Sequence, residues 1–213
     1  MRSSQYKDCH YDRLAFPIGL GTRYEVSLSY HVGMINNWRE IIQDQFSLLE
    51  SCGLGYLASQ ITISYYNPIV GSTSNSSIQK LQEILRKYPF SSRLNSTFID
   101  ASRHYPYEQP ILEATTYSCR QYAQKYTSNQ KTQIVFYFHN KGSSKYAEPS
   151  DEERYKTYQN IYHWRRYMEW FLLERPTLCI RAILNHGTMT CGVNLQKEPS
   201  RHYSGNLFYA TIM

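Results

Sequence analysis

Three short polar clusters in this 213-residue chain bring together residue types that hold phosphate, hold sugar or move protons. The first is His139-Asn140-Lys141-Gly142-Ser143-Ser144. An imidazole, a cation, a permissive glycine and two hydroxyls in one loop suit an anion such as phosphate. The plainer reading is a strand-to-loop transition whose lysine is solvated. The second is His202-Tyr203-Ser204-Gly205-Asn206, which runs straight into Leu207-Phe208-Tyr209-Ala210. Gly205 lets the backbone approach a ligand closely, because it has no Cβ. Ser204 and Asn206 set a hydroxyl and an amide on either side of that bend, suited to a polyhydroxylated ligand. His139 and His202 are the groups able to change protonation near neutral pH, and so are the acid/base candidates. The third cluster is Tyr30-His31 at the end of an alternating segment. A fourth stretch, His163-Trp164-Arg165-Arg166, offers a guanidinium fork for a diphosphate, although an Arg pair on a helix is more often its solvated face.

These residues need elements to place them. Residues 1–23 carry little periodicity and read as a tail or leading loop; 24–213 read as one α/β domain. Glu25 to Val32 alternates as a strand does. Asn37 with Glu40 predicts a capping box for a helix whose apolar positions are Trp38, Ile41, Ile42, Gln45, Leu48, Leu49 and Cys52. Gln60 to Tyr66 follows as a second strand. Ser77 is the expected cap of a short helix ended by Pro89, after a Ser/Asn-rich loop from Asn67. Thr97 to Asp100 is a candidate third strand, and Pro110 opens another helix. Gln133 to Phe138 is nearly continuous in apolar residues, as a strand buried on both faces requires. A long helix is expected from Asp151 to Glu174, a short one from Leu178 to Leu184, and a last strand from Leu207 to Ile212. Alternating strands and helices predict a mostly parallel central sheet flanked by helices. In such sheets ligands sit outside the carboxyl ends of the strands, where the polar clusters fall.

Composition removes several classes of function. Hydrophobic residues are 41% and charged residues 19%, a globular balance. Net charge is +6, and no run of like charges exceeds the three residues Asp151-Glu152-Glu153. That excess suits an anionic small ligand and lacks the basic stripe of a nucleic-acid binder. The Tyr-rich basic stretch from Arg154 to Arg175 keeps single-stranded nucleic acid as a third reading, through ring stacking. Five cysteines at 9, 52, 119, 179 and 191 form no short pair, which argues against a disulfide framework and for a reducing, cytoplasmic compartment. Sequons at Asn75 and Asn95 matter if the chain enters a secretory lumen. No apolar run is long enough to span a bilayer. Cys179, His186, Cys191 and His202 match no zinc spacing, and Cys179 reads as packed. Asp-x-Asp, a P-loop and Gly-x-Ser-x-Gly are all absent from the sequence. The expectation is therefore no metal or other cofactor; the alternative is a divalent cation, Mn²⁺ or Mg²⁺, recruited by Asp100.

Val135-Phe136-Tyr137-Phe138-His139-Asn140-Lys141-Gly142-Ser143, then Trp164-Arg165 through Met168-Glu169 with Cys191-Gly192-Val193-Asn194, then His202-Tyr203-Ser204-Gly205-Asn206 with its aromatic strand, occur in that order. In that order they resemble a family of glycosyltransferase-like proteins carrying Phe-His-x-Lys-Gly and His-Tyr-Ser-Gly-Asn-aromatic motifs. The resemblance implies a nucleotide-diphospho-sugar transferase (GT-A-like) fold and transfer of a sugar from a nucleotide-sugar donor to a glycan or similar acceptor. It also implies that Lys141, Gly142, Ser143 and Arg165 meet the donor diphosphate, and that Ser204, Gly205 and Asn206 meet its sugar. Phe208 or Tyr209 stands where the family pattern has Trp, and the chain stops at Met213 where members continue. A C-terminally shortened, catalytically incomplete carbohydrate- or nucleotide-binding module is the alternative expectation.

Overall fold

The computed structural model describes residues 24–68, 74–102, 108–125, 132–196, 198, 202–203 and 207–212. The expected tail, 1–23, lies outside them. The chain runs β1 (Tyr24–Gly33), α1 (Trp38–Ser51), β2 (Ala58–Tyr66), α2 (Ser74–Arg86), β3 (Asn95–Asp100), α3 (Gln109–Lys125) and β4 (Thr132–His139). Then come α4 (Glu152–Glu169), which continues as a π-helical turn over Trp170–Glu174, and α5 (Pro176–His186). Four short strands close the chain: β5 (Thr190–Gly192), β6 (Leu195–Gln196), β7 (His202–Tyr203) and β8 (Phe208–Ile212).

The main sheet has the order β3-β2-β1-β4-β8-β5. β1, β2, β3 and β4 are mutually parallel, while β8 runs antiparallel to both β4 and β5. The fold is thus α/β with a mostly parallel, mixed sheet flanked by helices. Strand alternation decides which side chains meet the helices. On one face Val26, Leu28, Tyr30 and Val32 of β1, Ile61, Ile63 and Tyr65 of β2, and Ile134, Phe136 and Phe138 of β4 are all buried. Ile42, Phe46, Leu48 and Leu49 of α1 join them in one core, with Met168 of α4, Leu172 and Leu173 of the π turn, and Ile180 and Ile183 of α5. Tyr30 stacks on Phe138 at 4.1 Å between centroids, and Phe136 on Tyr209 at 4.4 Å. Each such ring or branched aliphatic adds about 1.5–3 kcal/mol by leaving water.

The opposite face is polar, which is less usual. Ser27, Ser29, His31, Ser64 and Gln133 are buried there, under α3. Gln133 and Gln60 both donate to Ser27 Oγ, at 2.7 and 2.9 Å, and Thr115 of α3 donates to Ser29 Oγ at 2.8 Å. Hydrogen bonding offsets the cost of taking those groups out of water.

Several local expectations are corrected. Asn37 precedes α1 without capping it: its amide donates instead to Tyr158 Oη on α4, 3.3 Å away, so a long-range contact displaces the capping box. α2 begins at Ser74, and Ser77 lies inside it, buried and accepting from Asn67 Nδ2 at 2.9 Å. The long helix starts where expected, with Asp151 as its cap accepting from the Arg154 amide, but leaves α geometry at Trp170. Cys179 of α5 and Cys191 of β5 form a disulfide, which corrects the expectation of no disulfide framework and of Cys179 as a packed thiol. Spacing in sequence hid it, because only the fold of β5 onto the sheet edge brings the two together.

Candidate functional site

The chain builds the sheet outward from β1 to β3, then crosses back through α3 to lay β4 on the other side of β1. That reversal leaves a crevice at the carboxyl ends of β1 and β4, where open α/β sheets bind their ligands. A cavity of about 470 Å³ occupies it, lined by His31, Gly33, Glu108, His139, Asn140, Lys141, Gly142, Ser143 and Lys145, with Ile161 of α4 at its wall.

The two strand ends are stitched together. Asn140 accepts from the Gly33 amide and donates to the Gly33 carbonyl, both at 2.8 Å, while its own amide donates to the His31 carbonyl at 3.2 Å. Ser143 Oγ donates to the same Gly33 carbonyl at 3.3 Å, and Asn36 Nδ2 donates to the Ser143 carbonyl at 2.9 Å. Ser143 is therefore turned inward as a structural tie. Gly142 has φ +94°, and a Cβ there would stand 2.9 Å from Ile161 Cγ2. Glycine is what lets the loop turn this tightly beneath α4.

His31 and His139 are direct register partners on neighbouring strands, so both imidazoles stand on the same face at the cavity floor. His31 Nδ1 shares a hydrogen bond with Ser64 Oγ at 2.7 Å. Burial pushes the His31 pKa down to about 4; Glu108 opposes that shift and His139 adds to it. His31 is thus a neutral imidazole at physiological pH. His139 Nδ1 lies 3.7 Å from Glu108 Oε1, at the mouth of α3. Tyr137, two residues back on the same face, keeps its hydroxyl proton because it is buried and faces the Glu108 carboxylate. Lys141 is half-buried and Lys145 exposed; among the described residues neither ammonium has a carboxylate within ion-pair distance. The floor can exchange a proton, and the rim carries positive charge.

Sequence reasoning placed His139, Lys141, Gly142 and Ser143 here, and the fold brings them together. Arg165 is elsewhere. Its guanidinium is 2% exposed, 3.3 Å from Glu169 Oε1, and donates to the Lys141 carbonyl at 3.3 Å. Arg166 is held by Glu169 at 2.6 Å and Glu174 at 3.0 Å. Both arginines are paired with internal carboxylates, and neither is among the lining residues of this cavity. Asp100 ends β3 at the sheet edge and accepts from the Ser102 amide at 2.9 Å; it is not among the lining residues. His202 lies in β7, paired with Gln196 of β6 in a separate two-stranded sheet. Ser204, Gly205 and Asn206 lie outside the described residues. The sequence reading missed Glu108, which follows no strand and sits just before a helix, and it noted His31 without a partner. A β-strand ending in histidine at each side of a switch point was the available signal.

Among the described residues no group of three or more His, Cys, Asp or Glu side chains is close enough to hold a metal ion. No helix among them is long and apolar enough to cross a membrane. An α/β domain with a switch-point cavity hosts many unrelated activities, so the fold by itself assigns none. Residues 25–212 match the model of a family described as a domain of unknown function, DUF8361. The chain belongs to that family. No curated protein matches it.

Proposed function

We propose that this domain is glycosyltransferase-like, and that the switch-point cavity takes the diphosphate of a nucleotide-sugar donor. The observation that supports it best is that one cavity, at the crevice where α/β sheets bind nucleotides, is lined by a register-paired histidine couple, the Glu108 carboxylate beside it, and two lysines that have no carboxylate in ion-pair range among the described residues. In this reading Lys141 and Lys145 meet the diphosphate and stabilise the charge it gains as the bond from sugar carbon to phosphate oxygen breaks. The acceptor hydroxyl forms the new bond to that carbon and gives its proton to the His139 imidazole, which Glu108 orients. His31, kept neutral, adds no positive charge that would oppose protonation of the neighbouring His139 ring. The GT-A-like assignment rests on the motif resemblance.

Calorimetric titration with UDP-glucose, UDP-N-acetylglucosamine and GDP-mannose tests the proposal. We expect saturable binding that weakens about tenfold in Lys141→Ala, the size of one charge-assisted contact of ~1.5 kcal/mol. Absence of binding at millimolar donor, or an unchanged affinity in that variant, overturns it. A second reading, binding without turnover, draws on the withdrawal of both Arg165 and Arg166 into internal ion pairs. Binding of radiolabelled donor with no labelled product on any acceptor would favour it over transfer.

A further inference from the structure

The loop that carries Lys141 is supported by a buried polar network. Gln45 of α1 is fully buried, and every hydrogen-bonding group of its carboxamide is used. Its oxygen accepts from Tyr30 Oη at 2.5 Å; its nitrogen donates to Glu169 Oε1 at 2.9 Å and to the His139 main-chain oxygen at 3.2 Å. Glu169, fully buried on α4, also faces Arg165, whose other nitrogen reaches the Lys141 main-chain oxygen at 3.3 Å. The Arg165 guanidinium lies 5.2 Å from the Tyr162 ring, which steadies its plane. Two carbonyls that bracket the exit from β4 are thus held by one carboxamide and one guanidinium, and both of those are anchored on the same carboxylate.

We infer that Gln45 and Arg165 are positioning residues: through the His139 and Lys141 carbonyls they fix where the imidazole and the ammonium stand at the cavity. An ion pair alone would not require this arrangement, since any cation could neutralise Glu169. A second donor aimed at a loop carbonyl is what the planar fork of arginine adds and lysine lacks. A carboxamide facing a carbonyl and a carboxylate supplies both donors from one nitrogen, which no apolar residue of equal volume can do. Tyr30 completes the set by satisfying the remaining oxygen; its own hydroxyl stays protonated because it is buried and faces Glu169.

The inference rests on the proposed donor site, and its test separates the two. Arg165→Lys keeps the charge opposite Glu169 and removes the donor to Lys141; Gln45→Met keeps volume and removes the donor to His139. Gln45→Asn serves in place of Gln45→Met if that variant does not fold. For each variant with native circular dichroism, donor affinity is read by calorimetry, and the His139 ring and Lys141–Gly142 amide resonances by ¹H–¹⁵N spectroscopy. The exposed His186 and the amide of the exposed Ser92 serve as internal controls. We expect a fivefold or greater loss of UDP-glucose affinity, with shifts confined to 139–145 and the controls unmoved. Folded variants with wild-type resonances over 139–145 overturn the inference, whether or not the wild type binds a donor. Wild-type chain that binds no donor, yet shows those confined shifts in the variants, overturns the proposed function and leaves the positioning role standing.

Discussion

At the scale of the residue, the cavity is defined by protonation states that burial sets. His31 has its pKa pushed from 6.5 down to about 4, so the unfolded chain takes up its proton more readily than the folded one. Its contribution to stability is complete above about pH 6.5 and is lost as pH falls through 4. The difference amounts to about 3 kcal/mol. Denaturant titrations between pH 7 and pH 4 should show that fall, and His31→Gln should remove most of it; an unchanged slope in the variant would show that another group carries the acid sensitivity. Gly142 makes a second residue-scale prediction. With φ +94° and Ile161 2.9 Å from the position of a Cβ, Gly142→Ala should cost about 1–2 kcal/mol in chemical denaturation. A neutral outcome would mean that the turn has room to relax away from α4.

Among the elements, sequence periodicity was a good guide wherever burial alone decides the conformation. β1, α1, β2 and β4 were legible because their apolar positions repeat at two or at three and four residues, and no distant partner has to be known. What was not legible depends on partners far along the chain. Asn37 looked like a cap until α4 put the Tyr158 hydroxyl beside it, and Arg165 looked like a surface cation until the fold set Glu169 and the Lys141 carbonyl around it. The pairing of Cys179 with Cys191 was hidden for another reason: they lie only 12 residues apart, but spacing alone does not show that the turn after α5 folds the edge strand β5 back beside it. That crosslink closes a loop of 12 residues' separation, for which chain entropy predicts a contribution of roughly 2–3 kcal/mol. Cys191→Ser should lower the unfolding free energy by that amount, and dithiothreitol should bring the wild type down to the same value. Equal stability of the oxidised wild type and the serine variant would contradict the crosslink.

Over the whole molecule, the arrangement that matters is the strand order, which reverses between β1 and β4 and opens the polar crevice there. The sequence made the crevice legible in part: His139 to Ser144 and Tyr30-His31 were both read as strand-end clusters, while their juxtaposition needed β1 beside β4, and Glu108 needed α3 packed over the sheet. In the proposed reading Lys141 and Lys145 supply the charge, so donor affinity should fall with rising salt and persist in EDTA. A loss in chelator that Mn²⁺ restores would move the charge balance onto an ion. The central claim, that the crevice is the donor site, is tested most directly by following backbone amide resonances while UDP-glucose is added. The account predicts saturable shifts concentrated at Gly33 and 139–145, absent in Lys141→Ala. Shifts that cluster at the amino ends of the strands around Gln60 and Gln133, or that leave 139–145 unmoved, would contradict it.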